Sequence, residues 1–274
     1  MKRKFTALCM ATLLLFAGCT KPQVNEVRSS AVQEEAKVEE PIPGNYEPVQ
    51  ELPQLEGVKK GDTIATIHTS KGDIKVWFFP EYAPKAVENF TTHAKEGYYN
   101  GVTFHRVIKD MMIQSGDPTG EGGGGESIWG ESFENEVTPN LRNFRGALCM
   151  ANSDYLNPTN NSQFYIVQAS NKEVGNELAN QVQGDNNKAV LYGDNVVIGK
   201  DGKPLTNGEF FSDEVVKAYG NLGGYPSLDM KYTVFGQVYE GIEVVDAIDS
   251  LETDENHRPL EDVTITGIEV GTYQ

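Results

Sequence analysis

Cysteine is scarce in this chain of 274 residues: there are three, at positions 9, 19 and 149. That number excludes a disulfide scaffold and a Cys-rich zinc site. His68, His93, His105 and His257 lack metal-ligand spacing, and no His-Glu-x-x-His occurs, so no metal is expected. Positive charge is also in short supply, with 23 Lys plus Arg against 40 Asp plus Glu and a net charge of -17 at pH 7. Nucleic acid is thereby disfavoured as a partner, because its binding needs a basic footprint. No phosphate loop and no Gly-x-Ser-x-Gly elbow is present. The glycine run 122–125 is flanked by Glu121 and Glu126 and reads as a flexible surface loop. Beyond the first residues there is no long apolar run, which excludes a multispan membrane protein.

The one apolar run has a purpose of its own. Lys2, Arg3 and Lys4 precede an apolar segment from Phe5 to Phe16, followed by Ala17, Gly18 and Cys19. Residues 1–18 read as an export signal, too short to span a bilayer securely. Leu15-Phe16-Ala17-Gly18-Cys19 resembles a bacterial lipobox, with Phe16 where such motifs usually carry Leu. The resemblance implies that Cys19 is acylated and places the chain on the extracytoplasmic face of a bacterial cell membrane. One acyl chain holds weakly, at about 0.8 kcal/mol per buried CH₂, whereas a multi-acylated cysteine holds firmly. Residues 19–61, with Pro22, Pro41, Pro43, Pro48 and Pro53 and many glutamates, are expected to form an extended acidic tether. Cys149 sits in the apolar run Ala147-Leu148-Cys149-Met150-Ala151 and reads as a small buried hydrophobe.

Residues 62–274 carry the folded domain. Thr63 to Thr69 and the alternation of Ile74, Val76 and Phe78 read as two strands joined at Lys71-Gly72. Pro84, Val87, Phe90 and Ala94 have helical spacing, with Gly97 as the stop, and a second helix is predicted from Glu243 to Leu251. Short apolar segments between them, and a last strand with Gly267 as a bulge, predict a closed antiparallel barrel capped by two helices. Parallel βαβ architecture is disfavoured, since helices do not alternate with strands. Residues 171–224 are rich in Asn, Gly and Asp and read as an inserted α/β excursion. It holds a short strand pair at 190–198 and a helix at 213–219, capped by Ser212 and ended by Gly220. Its removal is expected to leave turnover of small peptides largely intact.

One stretch points to chemistry. Residues 104–117, Phe-His-Arg-Val-Ile-Lys-Asp-Met-Met-Ile-Gln-Ser-Gly-Asp, resemble the signature of the cyclophilin family of peptidyl-prolyl cis/trans isomerases. The segments 146–152, 161–166 and 228–238, with Gly123–Gly125 and 131–136 between them, agree in order. The resemblance runs from about residue 63 to 271, interrupted by the insertion. It implies an eight-stranded barrel with two helices and a reaction that needs no cofactor. X–Pro isomerisation breaks no bond, yet C–N rotation loses amide resonance, a barrier of about 18–20 kcal/mol. A guanidinium aimed at the prolyl nitrogen helps the twisted amide more than the planar one, by differential binding and not proton transfer.

By resemblance Arg106 is that cation. Gln114 holds the substrate carbonyl and orients the arginine, and His105 stands beside it, more a shaper of the groove than a proton carrier. Asn152 offers its main chain to the substrate, Ala151 lines the same groove, and Gln163 sits at the rim. Met111, Met112, Tyr165, Leu228 and Tyr232 line an apolar slot for the proline ring. The family usually has Phe at the places of Met111 and Tyr165, often His at Tyr232, and in its best-studied eukaryotic members Trp at Ser227. Met can fill an irregular apolar site, and the Tyr165 hydroxyl must find a partner. The implied function is isomerase action on proline-containing exported polypeptides by a monomer held to the bilayer through Cys19. The alternative is a proline-peptide-binding or chaperone-like module with low turnover.

Overall fold

The computed structural model describes residues 42–46, 51–192 and 195–274. The export signal and Cys19 lie outside the described residues. The elements in order are β1 (Ile42–Tyr46), a 3₁₀ turn (Pro53–Leu55), β2 (Thr63–Thr69), β3 (Gly72–Phe78), α1 (Pro84–Lys95), β4 (Arg106–Ile108), β5 (Met112–Ser115), β6 (Ala147–Met150) and β7 (Phe164–Val167). The inserted region supplies α2 (Glu173–Asp185), β8 (Leu191–Tyr192), β9 (Asn195–Gly199), α3 (Asn207–Phe210) and α4 (Asp213–Leu222). A second 3₁₀ turn (Pro226–Leu228), β10 (Val234–Glu240), α5 (Ile242–Asp249) and β11 (Ile265–Thr272) complete the chain.

Eight strands form one antiparallel sheet in the order β11-β2-β3-β10-β6-β7-β5-β4. Period-two patterning sorts its two faces. Ala65, Ile67, Ile74, Val76, Val107, Ile113, Leu148, Ile166 and Phe235 point inward and pack with Val87 and Phe90 of α1 and Val245 and Ile248 of α5. Ile108, Met112, Ala147, Cys149, Tyr165, Val167 and Val234 point outward and form a second apolar cluster. A register shift beside Gly267 makes the expected bulge. The first helix begins at Pro84 with Ala83 as a cap that has no side chain to offer. Glu136 from a distant loop takes over, accepting from the Lys85 N–H at 3.1 Å and the Ala86 N–H at 2.9 Å.

The sheet is an open, curled half-barrel, not the closed barrel expected. No ladder joins β4 to β11. A single bridge, Thr103 to Thr264, and isolated main-chain bonds such as Phe104 N–H to Val263 C=O at 2.9 Å span the seam. The outer edge of β4 is taken instead by the loop before β11, where the Val107 N–H donates to the His257 carbonyl at 2.8 Å.

The tether also departs from expectation over its second half. Leu52 and Gln54 are buried. The Gln54 amide donates to the Arg142 carbonyl and the Gln237 side chain, each at 2.9 Å, and accepts from the Arg142 N–H at 2.7 Å. Strand β1 pairs in parallel with β9 of the insertion. Composition alone marked this stretch as unable to form a core, but Leu52 joins a core made elsewhere, and Tyr46 and Val58 pack against others.

The insertion is tied to the sheet. Leu178, Val215, Ala218 and Tyr219 pack with Leu52 and Phe144, and Val190, Val197, Leu205 and Phe210 pack with Met230. Ser212 caps α4, accepting from the Val215 N–H at 3.4 Å. The helix runs past Gly220 to Leu222 and ends at Gly223, whose φ of 85° suits glycine. Gly175 of α2 is what lets α2 and α4 touch: a Cβ on it would lie 2.3 Å from the Gly220 nitrogen, whereas one on Gly220 would make only an ordinary 3.8 Å contact. Helix α2 was not expected, because its residues mix polar and apolar types without strong amphipathic contrast.

Candidate active site

Register across the outer face assembles the site. Arg106 of β4 stands opposite Gln114 of β5, Gln114 opposite Tyr165 of β7, and Tyr165 opposite Cys149 of β6. Directly paired residues point to the same face, so these four side chains form one row. Met112, two residues from Gln114, shares the face and is buried beside Tyr165. Met111, Ala151, Leu228 and Tyr232 complete the cluster from loops, each partly exposed. All the residues expected to grip a proline ring are thus brought together. Tyr165 and Tyr232 meet edge to face with centroids 5.6 Å apart.

Polar side chains run along the row as a directed chain. Arg106 Nη1 donates to Gln114 Oε1 at 3.1 Å, and Gln114 Nε2 donates to Gln163 Oε1 at 2.9 Å. Gln163 Nε2 donates to the carbonyls of Gly122 at 3.1 Å and Gly124 at 2.8 Å. The two carbonyls can only accept, so they fix which end of the Gln163 amide faces them. That choice turns the Gln114 oxygen toward the arginine. Gly122 and Gly124 are themselves held, since both N–H groups donate to Asp117 Oδ2, at 2.7 and 3.0 Å. Burial pushes the Asp117 carboxyl up, but bonds from Gly124, Thr119 and Gly122 outweigh it and leave the group below its ordinary value. The glycine run is therefore an anchored platform and not the flexible loop expected. Only its contacts with Asp117 and Gln163, remote in sequence, decide that.

Arg106 is exposed and borders a hollow of about 590 Å³ shared with Gln114, Gly122, Asp254, Asn256 and Arg258. His105 lines the same hollow but is buried, and neither ring nitrogen has a partner among the described residues. Burial holds its imidazole below the ordinary histidine range, with Asp117 opposing and Arg258 and Arg106 assisting. It makes no hydrogen bond to Arg106 or Gln114 and so borders the site without contributing to the relay. The Asn152 amide is held by Asn135 at 3.0 Å. Its main-chain N–H and C=O have no hydrogen-bond partner among the described residues and lie beside Ala151, whose N–H is used by the Gln163 carbonyl at 2.9 Å.

Sequence reasoning missed the layer behind the slot. Tyr165 OH donates to Asn143 Oδ1 at 2.8 Å, and Cys149 Sγ reaches the same oxygen at 3.4 Å. Burial pushes both the Tyr165 phenol and the Cys149 thiol up, so both stay protonated, and the thiol is the inert hydrophobe expected. Asn143 Nδ2 and N–H donate to Asp229 Oδ1 at 3.1 and 2.8 Å. Asp229 also accepts from Tyr219 OH of the insertion, at 2.8 Å to each oxygen, and pairs with Arg142 Nη1 at 3.2 Å. Arg142 lies 3.8 Å over the Phe210 ring and donates to the Phe210 carbonyl. The insertion thus supplies two partners to a buried network that ends on Tyr165 and, through Asp229, on its neighbour Leu228. Removal of residues 171–224 would strip both of these partners from the network.

Among the described residues no group of His, Cys, Asp or Glu could hold a metal ion, and no helix is long and apolar enough to cross a membrane.

The outer face of an open antiparallel half-barrel thus carries an arginine, two glutamines and an apolar cluster that includes Met112, Tyr165 and Leu228. The family model for cyclophilin type peptidyl-prolyl cis-trans isomerases matches residues 64–270. Proteins of Staphylococcus aureus (strain COL) and Staphylococcus saprophyticus (strain ATCC 15305), named as peptidyl-prolyl cis-trans isomerases, are each 45% identical over 219 residues, covering 80% of this chain and 97% of their own. The crystal structure of a cyclophilin type peptidyl-prolyl cis-trans isomerase from Cryptosporidium parvum aligns with a TM-score of 0.56 and 28% identity, over 78% of this chain and 99% of its own. A second crystal structure of that protein, in the presence of the dipeptide Ala-Pro, aligns at 0.55 over 77% of this chain. The chain belongs to the cyclophilin-type peptidyl-prolyl cis–trans isomerases.

Proposed function

We propose that this isomerase acts on proline-containing exported polypeptides at the outer side of a bacterial cell membrane, as a monomer anchored through acylated Cys19. The lipobox-like residues 15–19 support the placement. Slow X–Pro isomerisation, tens to hundreds of seconds unaided, supports the need, because it can limit folding of a newly exported chain.

At the site, Met111, Met112, Tyr165, Leu228 and Tyr232 take the proline ring, and the free main chain of Asn152 pairs with the substrate backbone. Arg106 meets the prolyl nitrogen as its lone pair localises in the twisted amide. The guanidinium acts by charge and hydrogen bonding, and no proton moves. A 10⁵-fold acceleration requires roughly 7 kcal/mol of preferential binding to the twisted state. One preorganised cation beside apolar side chains that the bound substrate covers is of the right order. The observation that carries this reading is the Arg106–Gln114–Gln163 chain, which fixes the cation before substrate arrives.

The test is a protease-free assay on a proline tetrapeptide with wild type and Arg106→Ala. Turnover is expected to fall by about 100-fold or more, the loss seen when one charge-stabilising donor is removed. Wild-type turnover at the background rate, or a variant as fast as wild type, would overturn the assignment. Retained peptide binding without turnover in the wild type would instead favour a proline-binding module, for which the missing aromatic wall at Met111 gives a physical reason.

A further inference from the structure

A concavity reaches Ser227, the neighbour in the chain of Leu228 of the apolar cluster. It occupies about 340 Å³ between α2 of the insertion and the 3₁₀ turn Pro226–Leu228, at the small end of the roughly 300–1,000 Å³ of ligand pockets. Val174, Leu178, Phe211, Tyr225 and Pro226 give it apolar walls, and Glu177 and Gln181 stand at its rim. Ser227 lines it as well, and the next residue in the chain is Leu228, which packs in the slot cluster. Ser227 is small and exposed, so no bulky side chain separates the two. Both walls are fixed. The turn is held by the Tyr225 N–H on the Asn143 carbonyl at 2.8 Å and by the Leu228 N–H on the Tyr225 carbonyl at 3.0 Å. The insertion is held by the Tyr219–Asp229 and Phe210–Arg142 contacts.

We propose that this groove is a substrate subsite that takes one aromatic or branched aliphatic side chain of the same polypeptide whose proline fills the slot. The occupant follows from continuity. An extended chain advances about 3.3–3.6 Å per residue, so a side chain two or three residues from the proline travels roughly 7–11 Å. That reach suits a groove whose wall adjoins the slot's own residue 228. The insertion is then a specificity element and not a passive excursion. This inference rests on the reading of the slot at Met112, Tyr165 and Leu228.

The experiment compares kcat/KM for a proline peptide whose other residues are all alanine with peptides carrying one Phe two or three residues before or after the proline. One Phe position is expected to raise kcat/KM about 3–10-fold, less than the ~10–200-fold of an enclosed apolar pocket. Val174→Asp should abolish that gain and leave the all-alanine peptide within about twofold. The variant places its carboxylate in the first turn of α2, where negative charge favours a helix. Equal turnover of every peptide by the wild type overturns the subsite, and so does a gain that survives V174D. If V174D instead splits a wild-type dimer in sedimentation, a second copy is the occupant and the proposal is wrong. Should the wild type turn over no peptide, the slot assignment is what fails. The subsite is then judged by Kd for the same peptides, where Phe must still tighten binding in wild type and not in V174D.

Discussion

The pair formed by Arg142 and Asp229 offers a sharp test of how the insertion is built into the domain. The Arg142 side chain is 0% exposed and that of Asp229 1%. Arg142→Met removes the cation, keeps the apolar length of the side chain and leaves the Phe210 ring covered. Asp229 then remains buried with the Asn143 N–H, Asn143 Nδ2 and Tyr219 OH as its donors. Breaking one side of a buried ion pair costs about 3–5 kcal/mol. Three surviving donors place this case at the lower end, near ~3 kcal/mol. In a domain of this size each kcal/mol moves Tm by about 2–4 °C, so a fall of ~6–12 °C is expected in thermal unfolding. Asp229→Asn should cost a similar amount, since it strands the guanidinium. The double variant, with neither charge, should be at least as stable as either single one, giving a coupling of about 3 kcal/mol or more. In peptide assays the single variants should raise KM more than they lower kcat, because the network ends on Tyr165 and Leu228 and not on Arg106. Single variants within about 1 kcal/mol of wild type, or strictly additive effects, would refute the account of a coupled network.

Two further outcomes follow from the site. Gln163→Glu keeps the size and the acceptor for Gln114 Nε2 but has no donor for the Gly122 and Gly124 carbonyls. It should lower kcat/KM about 10-fold or more by loosening Arg106, an effect in line with the ~10²-fold cost of a 1 Å misplacement; activity equal to wild type would show that bond polarity does not matter. Stability should fall on acidification from about pH 7.5 through the ordinary histidine range near 6.5. Burial depresses both His105 and His93 in the folded state, so the unfolded chain binds more protons over that interval. His105→Gln should flatten part of this dependence in denaturant titrations at each pH, and an unchanged slope would contradict the buried neutral imidazole.

What the sequence determined by itself is set by local rules. Alternation in 63–78 and the helical spacing from Pro84 to Ala94 fix which side of each element is apolar, so strands, helices and the inward core were legible. Arg106 and Gln114 lie eight positions apart around a tight β4–β5 turn, close enough for motif reading to place them in one row. Tertiary structure alone decided the rest, because its partners are far apart in the chain. Asp229 meets Arg142 across 87 residues and Gln54 meets Gln237 across 183. A buried charge or amide leaves no periodic trace, since its energy depends on the one partner that desolvation forces upon it. For the same reason an acidic, proline-rich stretch became in part a structural strap, a glycine run became a platform, and an Asn-rich insertion became the support of a buried network that ends on Tyr165.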